Sequence, residues 1–227
     1  MKNVILIFFI LISCVMPKQG FAQDKEYGIA ILMPDEYLTQ AQKMNHAIAA
    51  RVPALPNFRN IYHITLFQGR FSSGKIEELQ KELKAQHFEK FRLTLGKEIK
   101  TSEQRYINWM PKENYELKKI HRRVVEIANP YRLGILARYI DSYGELEKDQ
   151  RQQVVKYGMP GLLDDYEPHV TLFYFANKNP DIEKIAQKIS VPEDSHEINC
   201  CDALKMVIAE IGYAGNIEKI LYEIALE

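Results

Sequence analysis

A five-residue segment occurs twice in this chain. His63-Ile64-Thr65-Leu66-Phe67 returns as His169-Val170-Thr171-Leu172-Phe173. The whole sequence holds six histidines and five threonines, so two chance copies of His-x-Thr with the same Leu-Phe tail are improbable. Both copies lie in β-branched, aromatic runs that read as strands. Side chains alternate along a strand, so each histidine shares a face with its threonine. Ile64, Leu66, Val170 and Leu172 then point to the other face, toward a core. Two such strands facing one another offer two imidazoles and two hydroxyls to a common cleft. That set suits hydrolysis of a phosphodiester. A neutral imidazole takes a proton from water, and a protonated one gives a proton to the departing alkoxide. The attacking and leaving oxygens lie on opposite sides of phosphorus, so base and acid belong on opposite walls. Threonine hydroxyls donate to the non-bridging oxygens, where charge develops. The scheme requires no metal and no cofactor.

Strands and helices that position these groups are interspersed. Residues 27–33, 61–67, 91–95, 106–110, 170–175, 203–211 and 217–225 have strand character, with a hairpin loop over 212–216. Residues 35–50, 74–87, 114–128 and 181–189 read as helices, and 146–157 as a polar helix. Ile76, Leu79 and Leu83 share one helical face, as do Leu117, Ile120, Val124 and Ile127. Several strands sit side by side, which predicts an α+β fold with antiparallel or mixed sheets. Each motif strand is followed by an amphipathic helix, so two pseudo-symmetric lobes facing a central cleft are expected. No Gly-rich phosphate loop is present, which disfavours a nucleotide kinase or dinucleotide-binding fold.

The 227 residues are 46% hydrophobic and 26% charged, an ordinary globular balance. Thirty basic and thirty acidic residues cancel, so bulk electrostatic binding of nucleic acid or anionic membrane is excluded and phosphate recognition must be local. Residues 1–22 form a secretory signal peptide: Lys2, an apolar run from Val4 to Val15, Pro17, then small residues Gly20 and Ala22 before a cut at Gln23. The run is too short to span a membrane comfortably, spanning taking roughly 20 residues. Leu11-Ile12-Ser13-Cys14 also fits a lipoprotein box, with Cys14 as the lipidated anchor. Removal of the leader takes Lys2 and Lys18 and leaves a net charge of −2 on residues 23–227, which are expected to form a single bilobal domain and a monomer. The adjacent Cys200 and Cys201 read as buried thiols, since neighbours close only a strained ring.

The paired motif resembles that of the 2H phosphoesterases, the group that includes 2′,5′ RNA ligase-like proteins and cyclic phosphodiesterases. The resemblance runs from Tyr27 to the C-terminus. It implies a two-lobed, metal-independent enzyme acting on 2′,3′-cyclic or 2′,5′-linked nucleotide phosphodiesters. It assigns His63 and His169 to acid–base catalysis and Thr65 and Thr171 to phosphate binding. The same fold could also serve as a non-catalytic nucleotide-binding module, or as an enzyme that joins RNA ends. Tyr62, Phe67, Phe173, Tyr174 and Tyr213 are candidate substrate contacts, the phenylalanines sharing the histidine face if the alternation persists, though core packing for the phenylalanines and half-buried sheet positions for the tyrosines are the simpler readings. Arg70, Lys97 and Lys205 are candidate sources of positive charge, though solvated surface positions are the simpler reading. Asp164, Asp165 and Glu167 read as a loop rather than as metal ligands. His46, His87, His121 and His196 read as surface residues.

Overall fold

A computed structural model of the chain describes residues 24–52, 61–191 and 205–227. The leader-like N-terminus with Cys14, the Cys200-Cys201 pair and His196 lie outside the described residues. The strands are β1 (Asp24–Leu32), β2 (His63–Ser72), β3 (Leu95–Ser102), β4 (Tyr106–Pro111), β5 (Arg132–Gly134), β6 (Val170–Tyr174), β7 (Lys205–Ile211) and β8 (Ile217–Ala225). The helices are α1 (Asp35–Ala49), α2 (Ile76–Lys84), α3 (Tyr115–Ala128), α4 (Ala137–Asp141), α5 (Lys148–Tyr157) and α6 (Ile182–Ala186).

All eight strands join one sheet in the order β3-β4-β6-β2-β1-β7-β8, with β5 added to β2. Every pairing is antiparallel. The fold is α+β, as expected, and none of the pairing is mixed. The two expected lobes are two half-sheets, β3-β4-β6 and β5-β2-β1-β7-β8. A single residue pair, Ile64 with Val170, joins them. The repeated motif therefore sits on the two strands that meet at the seam.

Apolar side chains decide which face is covered. Ile29, Ile31, Ile64, Leu66, Val170 and Leu172 belong to the main core, under α3 against β2 and α1 against β6. The predicted stripe of α3 is buried, and the helix starts at Asn114, whose side chain accepts a hydrogen bond from the Leu117 amide at 2.9 Å. A smaller cluster of Ala30, Val207, Ala209 and Ile217 covers the other face beside the motif strands. β3 departs from expectation. Phe91 and Leu93 are core residues outside a strand, while β3 runs on through polar residues to Ser102. It is an edge strand, so most of its side chains meet solvent and carry no apolar alternation. Among the described residues no helix is long and apolar enough to cross a membrane.

Candidate active site

Pairing of Ile64 with Val170 fixes the register of the two motifs. One step to either side along the antiparallel strands sets His63 opposite Thr171, and Thr65 opposite His169. Ile64 and Val170 face the core, so the four predicted residues face the opposite side together. The two histidines are diagonal neighbours, a relation that on antiparallel strands separates residues by about 7–8 Å, with Cβ atoms somewhat closer. The interval suits one phosphate group between the rings. All four side chains line a cavity of about 160 Å³, together with Gln68, Glu103, Tyr106, Arg138, Tyr139 and Tyr174.

Both motif strands then break their alternation at the same place. Ala30 pairs with Thr65 and Ile29 with Phe67, which leaves Leu66 unpaired. Asn108 pairs with Thr171 and Ile107 with Phe173, which leaves Leu172 unpaired. Each strand thus carries a β-bulge one residue after its threonine. The extra residue turns Phe67 (0% exposed) and Phe173 (8%) into the core. It brings Gln68 and Tyr174, three residues beyond the threonines, onto the cavity face. Phe67 and Phe173 are therefore packing residues rather than substrate contacts. Tyr62, 5% exposed, also belongs to the core and not to the site. Tyr174 lines the cavity as expected, and Tyr213 lines an adjoining groove. Gln68 was legible only as part of a longer repeat, Thr-Leu-Phe-x, in which the bulge makes the fourth position functional.

The two imidazoles are held in the same way. His63 Nδ1 donates to the Ile61 carbonyl at 2.6 Å, and His169 Nδ1 to the Glu167 carbonyl at 2.9 Å. Each ring thus bonds the residue two before it, which favours the Nδ1–H tautomer, and both rings line the cavity, where His63 also meets the Gly215 carbonyl. Burial holds both rings below the usual imidazole range. The Ile61 and Gly215 carbonyls oppose this at His63, while the neighbouring His169 adds to it. At His169 the Glu167 carbonyl and the Glu167 and Glu103 carboxylates oppose it. The Thr171 hydroxyl donates to Asn108 Oδ1 at 3.1 Å, and Thr65 Oγ1 lies 3.5 Å from Gln68 Nε2.

Arg138, on the short helix α4, supplies the positive charge. Its guanidinium donates to Gln68 Oε1 and to the Tyr213 carbonyl (3.4 Å) and lies 4.8 Å from the centre of the Tyr139 ring. These hydrogen-bond partners are uncharged, the Glu26 carboxylate offsets part of the charge, and the cation faces the cavity. Arg70, Lys97 and Lys205 do not line the cavity. The β7–β8 loop forms part of the wall. Gln68 Nε2 donates to the Gly215 carbonyl at 3.1 Å, and Gly215 adopts φ +81 at this close approach. The cavity opens into a groove of about 680 Å³ that shares Tyr106, Tyr139, Arg138 and Tyr174 and adds Arg105 and Tyr213.

The Asp164, Asp165 and Glu167 side chains are engaged by Arg122, Gln153 and Lys100, and among the described residues no three potential ligands converge as a metal site. His46 and His87 are exposed. His121 is not a surface residue: it is 0% exposed, beneath the first motif.

The fold is similar to that of E. coli LigT. Its apo structure matches with a TM-score of 0.52 at 16% identity, over 90% of this chain and 98% of that one. Its ATP complex matches with a TM-score of 0.51 at 15% identity, over 90% and 99%. A crystal structure described as a phosphoesterase matches with a TM-score of 0.51 at 16% identity, over 90% and 99%. E. coli LigT is also known in complexes with NADP+, phosphate and 3′-AMP. No protein-family model and no curated protein matches the sequence.

Proposed function

We propose that this chain is a 2H phosphoesterase that hydrolyses a cyclic or 2′,5′-linked nucleotide phosphodiester with His63 and His169 as the acid–base pair. The observation that carries the reading is the convergence of both motif histidines, both threonines and Arg138 on one phosphate-sized cavity. The ligands named for E. coli LigT are phosphate or phosphate-bearing nucleotides, which suits the same cavity in a similar fold.

In the proposed reaction one neutral imidazole accepts a proton from water at Nε2 while the water oxygen bonds to phosphorus. The bond from phosphorus to a ribose oxygen breaks, and the second imidazole, protonated, gives its Nε2 proton to that oxygen. The product is a phosphomonoester, and the pair of rings ends with its protonation exchanged. Each transfer contributes typically 10²–10⁴-fold in rate. Thr65 already accepts from Gln68, so its own O–H is directed to a phosphate oxygen. The Thr171 O–H rotates from Asn108 to do the same. Arg138 balances the negative charge on the equatorial oxygens. Residues 1–22, read as a leader, place this activity outside the cytoplasm in the proposal, where RNA breakdown supplies cyclic phosphates.

Turnover of 2′,3′-cyclic AMP in the presence of EDTA tests the reading. His63→Ala and His169→Ala should each abolish most of the rate. Wild-type rates in both variants would end it. Formation of joined strands from 2′,3′-cyclic phosphate and 5′-hydroxyl RNA ends would show the same chemistry run in the synthetic direction, and AMP binding without turnover would indicate a binding module.

A further inference from the structure

A bulge takes one residue out of the strand ladder, and its buried carbonyl needs another donor. In both motifs a helix supplies it. Asn45 of α1 donates from Nδ2 to the Leu172 carbonyl at 2.6 Å. His121 of α3 donates from Nδ1 to the Leu66 carbonyl at 2.7 Å. The two side chains occupy equivalent places, but the histidine does more. Its Nε2 accepts from the Leu163 amide at 2.9 Å, and Leu163 adopts φ +59, a conformation disfavoured for leucine. Its ring stacks on Tyr166, with centroids 3.6 Å apart and planes 3° from parallel. The Tyr166 hydroxyl donates to the Thr65 carbonyl at 2.8 Å.

One imidazole is thereby tied to both motifs. Directly at the Leu66 carbonyl and through Tyr166 at the Thr65 carbonyl, it holds the peptides on either side of Leu66. Through Leu163 and Tyr166 it holds the segment that runs into Pro168 and His169. We propose that His121 is a positioning residue that sets the distance between the Thr65 hydroxyl and the His169 ring. It does not line the cavity. The partners fix its state: a carbonyl only accepts and an amide N–H only donates, so His121 is the neutral Nδ1–H tautomer. The catalytic part of this inference rests on the phosphoesterase reading, whereas the tautomer and the phosphate response do not.

The test compares the full chain with His121→Phe and His121→Asn. Phenylalanine keeps the stacking on Tyr166 and removes both hydrogen bonds. Asparagine restores a donor to Leu66, as Asn45 provides at Leu172. With 2′,3′-cyclic AMP the Phe variant should lose about 10- to 100-fold in kcat, the scale of a misplacement near 1 Å, with KM raised by no more than about threefold. The Asn variant should recover kcat to within about fivefold of wild type. In ¹⁵N-imidazole spectra wild-type His121 should be the Nδ1–H tautomer. Inorganic phosphate should shift the His63 and His169 signals with an affinity about threefold weaker in the Phe variant, restored in the Asn variant. An Nε2–H tautomer overturns the proposal. So do a Phe variant with wild-type kcat and phosphate affinity, and equal impairment of both variants. Where the Phe variant does not fold, an Asn variant below about a tenth of wild-type kcat overturns it. Where the wild type turns over no diester, the functional reading fails, and the tautomer and phosphate titration still decide the role of His121.

Discussion

Replacing Arg138 with methionine tests how the cavity holds an anion. Besides the Gln68 amide oxygen, the Tyr213 carbonyl and Tyr139, the guanidinium feels the Glu26 carboxylate, so the substitution removes a cation that one carboxylate offsets only in part. At about 4 Å, and with an effective dielectric constant near 20, two unit charges attract by about 4 kcal/mol. Desolvation and salt return part of this, leaving roughly 2–3 kcal/mol. At 1.36 kcal/mol per tenfold, the expected loss in kcat/KM is roughly 30- to 150-fold. Lysine keeps the charge but not the planar fork that serves Gln68 and the cavity together, so Arg138→Lys should lose about tenfold. Gln68 is 4% exposed, and losing its donor should also cost about 1–3 kcal/mol of folding stability, which urea denaturation measures separately. Initial rates on 2′,3′-cyclic AMP are compared at two ionic strengths, and the wild type should be the more salt-sensitive. A folded Met variant within about threefold of wild-type kcat/KM would refute the reasoning and reduce Arg138 to a scaffold for Gln68.

Catalysis by a neutral and a protonated imidazole gives a bell-shaped dependence of kcat/KM on pH. Because burial lowers both rings, its maximum should fall on the acid side of about 6.5, the free imidazole value, and a profile still rising at pH 8 would contradict the pairing. His121 is pushed down to about 4, so the unfolded chain binds its proton more readily than the folded one. Its contribution, roughly 3 kcal/mol, is complete above about pH 6.5 and is lost as pH falls toward 4; urea denaturation at several pH values should show a steeper decline in the wild type than in His121→Asn, where the buried His63 and His169 still act. Gly215→Ala forces a Cβ to 3.0 Å from Gln68 Nε2 at φ +81, and should cost about 1–2 kcal/mol in stability and lower kcat/KM by displacing Gln68. Asn114→Ala removes the cap of α3 and should cost about 1 kcal/mol in denaturant unfolding, with turnover unchanged.

What could be read from the sequence was whatever strict periodicity reports. The α3 stripe and the two His-x-Thr faces follow from periods of 3.6 and 2, and both stand in the structure. Phe67 and Phe173 leave the histidine face because one extra residue at Leu66 and at Leu172 reverses the alternation, which a period of 2 does not report. Arg138 escaped notice because α4 is a five-residue helix within a polar stretch, and such a segment has no apolar periodicity to report. His121 was misread because the stripe of α3 was drawn too narrow. Val125 and Ala128, four and seven residues on, are buried with it, and that spacing was the available signal of an interior histidine.

The bulges show how far the two-fold relation reaches and where it stops. In each motif the histidine bonds the carbonyl two residues back, the leucine bulges, and a helix side chain holds its carbonyl. An arginine then reaches the residue three beyond the threonine: Arg138 donates to Gln68, and Arg105 to the Tyr174 hydroxyl at 3.4 Å. This shared framework suits a reaction whose acid and base approach from opposite sides of one atom. The side chains set upon it are unequal. One arm presents an amide and an arginine that lines the cavity; the other presents a tyrosine, with its arginine in the outer groove. A phosphodiester is itself nearly symmetric about phosphorus, but the groups on its two esterified oxygens differ. In the proposed reaction the symmetric framework matches the bond to be broken, and the unequal side chains match the two ends of the molecule that carries it. Exchange of Gln68 and Tyr174 should accordingly alter substrate preference and KM far more than the shape of the pH profile, which the two imidazoles set.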